Sequence, residues 1–100
     1  MEKRTPHYKL RIAHALIKSG QVGATYSAFR GADKLGIYDL QGMCEVVLAL
    51  TARDFHKSMT AHANHRIWQD VYHGKTGTGL PVYIKLSVIG NLLIVSFKEL

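Results

Sequence analysis

Apolar positions recur at helical spacing in the first half of the chain and alternate in the second. Leu10, Ala13, Leu16 and Ile17 fall on one face of a 3.6-residue period. Thr5 and Pro6 predict where that helix starts: Thr5 is the N-cap, and Pro6 takes the first helical position, where a missing N–H does no harm. Gly20 predicts its end. Residues 21–25 are enough for a short edge strand. A second helix is expected over residues 27–35, weakened by Gly31 and closed by Gly36. The apolar run 43–50 fits a helix or a buried strand by periodicity alone. It is read as helix because Thr51 and Asp54, three apart, form a capping-box pattern that would start a further helix. On that further helix Phe55, Met59 and His62 share a face, and Lys57 lies on another.

From Arg66 onward the period becomes two. RIWQDVYH alternates, HGKTGTGLP is a turn-rich loop, and PVYIKLSVI and LLIVSFK flank Gly90-Asn91, a two-residue hairpin signal. If Gly90 and Asn91 are the turn, Ile89 lies opposite Leu92, and every pair has the same sum. Val88 then faces Leu93, Leu86 faces Val95 and Ile84 faces Phe97, an apolar side packed on the helices. The other side pairs Ser87 with Ile94, Lys85 with Ser96, and Tyr83 with Lys98. The expected fold is α+β, one domain over residues 1–100, with N-terminal helices on a C-terminal antiparallel sheet.

That second side is either a plain solvated sheet face or a site. A tyrosine hydroxyl between lysines can stack a base, donate to a phosphate or move a proton. Gln69 alternates with Ile67 and Val71, away from Trp68, Asp70 and Tyr72. Which of those two sets joins Tyr83 is left open by the long loop.

Composition narrows the chemistry. Of 100 residues, 47% are hydrophobic and 20% charged, and no apolar run approaches the ~18 residues of a membrane span. The charged start MEKRTPH is unlike a signal sequence, so a cytoplasmic protein with no membrane partner is expected. Cys44 is the single cysteine, which excludes an internal disulfide and fits a small core residue. Thirteen Lys and Arg against seven Asp and Glu give a net charge of +6. That excess favours a polyanion such as nucleic acid, or an acidic protein, though a merely basic protein also fits. Lys3, Arg4, Lys9, Arg11 and Lys18 crowd the first helix. The acids are scattered, with no D-x-D or E-x-x-H cluster, so cutting of nucleic acid would proceed without metal. His62 and His65 lack a third ligand. Gly74-Lys75-Thr76 lacks the first glycine and the helix of a phosphate-binding loop. His7, His14, His56 and His73 fit surface positions, although any of them near the sheet face would be an acid or base candidate.

MEKRTPH, ADKLG, GMC, DFHKSMT, IWQDVY and LIVSFKE together resemble the motility-quorum-sensing-regulator (MqsR) toxins of bacterial toxin–antitoxin pairs, from end to end. The resemblance implies a RelE-like fold. It also implies an mRNA interferase that cuts single-stranded message at short GC-containing sites, with no cofactor, metal or ribosome. It further implies an antitoxin with a zinc-binding part and a helix-turn-helix part, so that operator DNA is met only through that partner. The family's catalytic positions fall on Lys57, Gln69, Tyr83 and Lys98, and Gln69 then shares the face of Tyr83. Lys85, Lys75 and His73 are the candidate substrate contacts. The loop HGKTGTGLP departs from the family pattern, and residues 20–40 match it less well. The rival reading is a non-catalytic module that binds nucleic acid or an antitoxin.

Metal-free RNA cleavage needs a base for the 2′-OH, positive donors for the phosphorane-like state and an acid for the leaving 5′-oxygen. Two ammonium groups ~6 Å apart repel by roughly 1–3 kcal/mol. A lysine starting near ~10.4 therefore stays mostly protonated. Lys57 and Lys98 suit charge stabilisation or acid catalysis, the identity of the base is open, and no histidine is expected at the centre.

Overall fold

The computed structural model describes residues 1–100. The chain runs β1 (Glu2–Lys3), α1 (Leu10–Lys18), β2 (Val22–Ala24), α2 (Tyr26–Asp33), α3 (Leu40–Leu48), a 3₁₀ turn (Ala52–Asp54), β3 (Phe55–Thr60), β4 (Trp68–Lys75), β5 (Pro81–Ile89) and β6 (Asn91–Glu99). One six-stranded sheet has the order β1-β3-β4-β5-β6-β2. The fold is α+β as expected, but the sheet is mixed: β2, the anticipated edge strand, runs parallel to β6. The core lies between the helices and one sheet face, where Ala13, Ala28, Ala32, Met43 and Val47 meet Tyr72, Ile84, Leu92, Ile94 and Phe97. No helix is long and apolar enough to cross a membrane.

The helix ends show which local signals prevail. Gly20 closes α1 with φ +76°. The Gly20 N–H donates to Ile17 and the Gln21 N–H to Leu16, so the last turn's carbonyls are satisfied. The start of α1 differs from the expectation at Thr5 and Pro6. It begins at Leu10, after Lys9, with no side-chain cap. The reason is tertiary: buried Asp70 accepts from the backbone N–H groups of His7 (3.0 Å) and Tyr8 (2.9 Å), which holds that segment across the sheet instead of in a helical turn. Thr25 caps α2 by accepting from Ala28 N–H, and Asp39 caps α3 by accepting from Gly42 N–H. Run 43–50 is largely helical, as read, with Met43, Val46 and Val47 buried in α3.

The capping box at Thr51 and Asp54 forms, with Thr51 N–H donating to Asp54 Oδ2 at 2.8 Å. It starts only a single 3₁₀ turn. The helix expected to carry Phe55, Met59 and His62 is instead strand β3, paired between β1 and β4. Ser58 and Thr60 are the buried positions of this strand, so its alternation is polar inward and concealed from a hydrophobicity pattern. β4 continues the alternation through His73 and takes in Gly74 and Lys75, read as loop.

The hairpin register holds at its far end. Tyr83 pairs with Lys98, Ile84 with Phe97 and Lys85 with Ser96. A bulge follows, and the pairs nearer the turn become Leu86 with Ile94, Ser87 with Leu93 and Val88 with Leu92. The slip corrects the expected apolar side: Leu92 and Ile94 enter the core, and Leu93 and Val95 do not. Two partners fix it. β2 pairs with Leu92–Ile94, and Thr25 donates its hydroxyl to the Val95 carbonyl freed at the bulge (2.8 Å).

Candidate functional site

The sheet face opposite the helices gathers its side chains in rows, because cross-strand partners point the same way. One row is His73, Tyr83 and Lys98 on β4, β5 and β6. The next is Lys57, Val71, Lys85 and Ser96 on β3 to β6. Gln69 pairs with Met59 one row further on. This settles the open register: Gln69 shares the Tyr83 face, and Trp68, Asp70 and Tyr72 turn away. Val71, between Lys57 and Lys85, is fully buried, so this is not a plain solvated face.

Lys98 Nζ lies 5.0 Å from the centre of the Tyr83 ring, a cation–π distance. Burial pushes the Tyr83 phenol up, with the Lys57 charge opposing, so the hydroxyl keeps its proton and is a donor near neutral pH. Lys85 is shifted the other way. Burial, then the charges of Lys98 and Lys57, hold it below an ordinary lysine, which makes its ammonium a better acid. Lys57 donates to Glu2 Oε1 at 2.8 Å, and that ion pair holds the Glu2 carboxyl below its usual range.

A second histidine joins His73 of this row. His56 and His73 stack with ring centres 4.1 Å apart and planes 20° from parallel, and His73 lies 6.0 Å from Tyr83. Burial, then His56, depress the His73 pKa, so its ring is neutral and can accept a proton near pH 7. His73, a candidate substrate contact, thus lies in the row with Tyr83 and Lys98, with His56 beside it.

Of the candidate residues, Lys57, Gln69, Tyr83, Lys98, Lys85 and His73 share this face. Lys75 is one row beyond His73, exposed beside Pro81 at the end of β4, and also lines a groove with Ile37 and Glu45. Sequence reasoning missed Glu2, because two-residue β1 has no pattern of its own. His56 is exposed, as expected of a surface residue, and the β3 irregularity between Phe55 and Lys57 brings it beside His73. That bulge lets His56 and Lys57, adjacent in sequence, both reach the site. No group of three His, Cys, Asp or Glu is placed as metal ligands would be. The donors gathered here suit a phosphate: three ammonium groups, a phenol and an amide.

A family model described as motility quorum-sensing regulator, toxin of MqsA, matches residues 5–99. The chain belongs to this family. It is also 52% identical, over 99% of both chains, to the mRNA interferase toxin MqsR of Escherichia coli (strain K12). The family match takes in every residue of the two rows, leaving only Glu2 outside. The helices on one side of a curled sheet are consistent with the RelE-like arrangement the motifs implied.

Proposed function

We propose that the protein is an mRNA interferase: the toxin of a toxin–antitoxin pair and an endoribonuclease that works on the open sheet face without metal or ribosome. The observation that carries this reading is the set of three lysines around Tyr83 beside a neutral histidine, in a chain so similar to an mRNA interferase toxin. Each required role has an occupant. His73 takes the proton of the 2′-OH as that oxygen bonds to phosphorus. Lys57, Lys98 and the Tyr83 hydroxyl donate to the phosphorane oxygens, where a single well-placed donor is worth about 10²–10³ in rate. Lys85 gives its proton to the 5′-oxygen as the P–O5′ bond breaks. Gln69, a row away, holds a phosphate oxygen or a base edge. The products are a 2′,3′-cyclic phosphate and a 5′-hydroxyl.

The substrate is single-stranded message cut at short GC-containing sites in the cytoplasm. The neutralising partner is an antitoxin of the MqsA type, whose zinc-binding and helix-turn-helix parts meet operator DNA for the pair. A non-catalytic binding module would use the same charges but has no use for a histidine left neutral beside a lysine made more acidic. Labelled single-stranded RNA incubated with purified protein in excess EDTA, with no ribosomes, is expected to be cut. Loss of cutting on chelation, restored by magnesium, would overturn the metal-free mechanism.

A further inference from the structure

Beyond Lys98 the open face continues into a groove of about 570 Å³ between α2 and the end of β6. β2 covers the outer edge of β6 only over Leu92–Ile94, so from Ser96 onward that edge is free and α2 forms the opposite wall. The wall is close because Gly31 faces β6: a Cβ there would lie 1.9 Å from the Phe97 carbonyl oxygen. Tyr26, Arg30 and Lys34 follow one another at four-residue spacing along this wall, a stripe about 12 Å long at 1.5 Å per residue. Together with Lys98 the groove holds three cations against one acid, Glu99.

The stripe also holds an unused aromatic. Tyr26 is 76% exposed. The Arg30 guanidinium lies over its ring at 5.8 Å and donates to its hydroxyl at 3.4 Å. An exposed tyrosine backed by arginine is a stacking platform for a base, and the cations beside it suit the adjoining phosphates.

We infer that this groove is a second RNA subsite, holding the nucleotides on one side of the scissile phosphate, with a base stacked on Tyr26 and phosphates on Arg30 and Lys34. The inference rests on the nuclease reading and deepens it. It follows from continuity: Lys98 belongs both to the Tyr83 row and to the groove, so a strand leaving that row in this direction enters the groove directly.

The test compares a minimal RNA carrying one cut site with the same RNA extended on either side. Extension on one side should raise kcat/KM at least five-fold, mainly through KM. Arg30→Glu should abolish that gain and Tyr26→Ala reduce it several-fold, while both variants cut the minimal RNA at the parental rate. Binding of uncleavable oligonucleotides, 2′-deoxy at the cut site, is measured in parallel. The extended one should bind more tightly to the parental protein, and Arg30→Glu should remove the difference. If the parental protein cuts nothing yet binds in this length-dependent way, the nuclease reading fails and the subsite stands. No benefit from extension on either side, or a benefit that survives Arg30→Glu, overturns the subsite. So does an Arg30→Glu protein that loses only its hold on an MqsA-type antitoxin, since the groove would then belong to a protein partner.

Discussion

Tyr83 and Lys98 face each other across β5 and β6, with the lysine nitrogen 5.0 Å from the centre of the ring. The ring also lies 6.0 Å from His73, and the Lys57 charge acts on its phenol. Removing that oxygen alone, in Tyr83→Phe, should leave the urea unfolding midpoint unchanged and lower kcat by a factor of about ten to several hundred. Lys98→Ala should lower it comparably. The double variant should lose less than the product of the single losses, because both donors act on one phosphate. Purely multiplicative losses would separate the two residues.

The pH–rate profile should be a bell with two assignable limbs. On the proposed mechanism activity needs neutral His73, so it falls as pH drops through a value below the ordinary histidine value of about 6.5. His56→Ala removes both a like charge and part of the cover over His73, so the acid limb should move to higher pH. On the other side, activity needs protonated Lys85 and falls as pH rises through a value below that of an ordinary lysine. Lys85→Arg keeps the charge but holds its proton, so it should lose rate and the alkaline limb together. A profile that His56→Ala leaves in place would remove His73 from the mechanism.

On the proposed mechanism, Glu2 competes with RNA for Lys57. The ion pair is solvent-exposed and contributes little to the fold. Glu2→Gln should therefore leave thermal stability nearly unchanged and tighten RNA binding, as measured by titration at low salt. Weaker binding would mean that the carboxylate positions Lys57 for the phosphate.

Gly31→Ala separates helix propensity from packing. Propensity alone favours alanine by about 1 kcal/mol. In this fold the added Cβ meets the Phe97 carbonyl oxygen, a backbone atom of β6, and overpacking of that kind costs about 1–3 kcal/mol or more. The variant should unfold at lower urea concentration than the parent.

The sequence was most legible where local pattern and tertiary packing agree. The pairing of Tyr83 with Lys98 and of Ile84 with Phe97 could be read because alternation and the Gly90 turn point the same way. Nearer the turn the register slips by one, because Thr25 and β2 hold Val95 and Leu92–Ile94 from the other side. β3 is hidden from the pattern because its inward residues, Ser58 and Thr60, are polar, while Phe55 and Met59 sit four apart and imitate a helix face. His56 comes to stack on His73 through a bulge that alternation does not encode. The start of α1 yielded to Asp70, sixty positions away in the chain, which no local cap signal could have announced.

The central claim is that the open sheet face breaks RNA by activating a 2′-OH against its own phosphate. The most direct measurement uses one labelled RNA whose cut site is mapped, beside an otherwise identical RNA with a single 2′-deoxynucleotide on the 5′ side of the scissile bond. The account predicts that the first is cut to a 2′,3′-cyclic phosphate and a 5′-hydroxyl, and that the second survives at that bond and is bound as tightly. Cleavage of the deoxy-substituted bond at the parental rate, or a 5′-phosphate on the product, would contradict it.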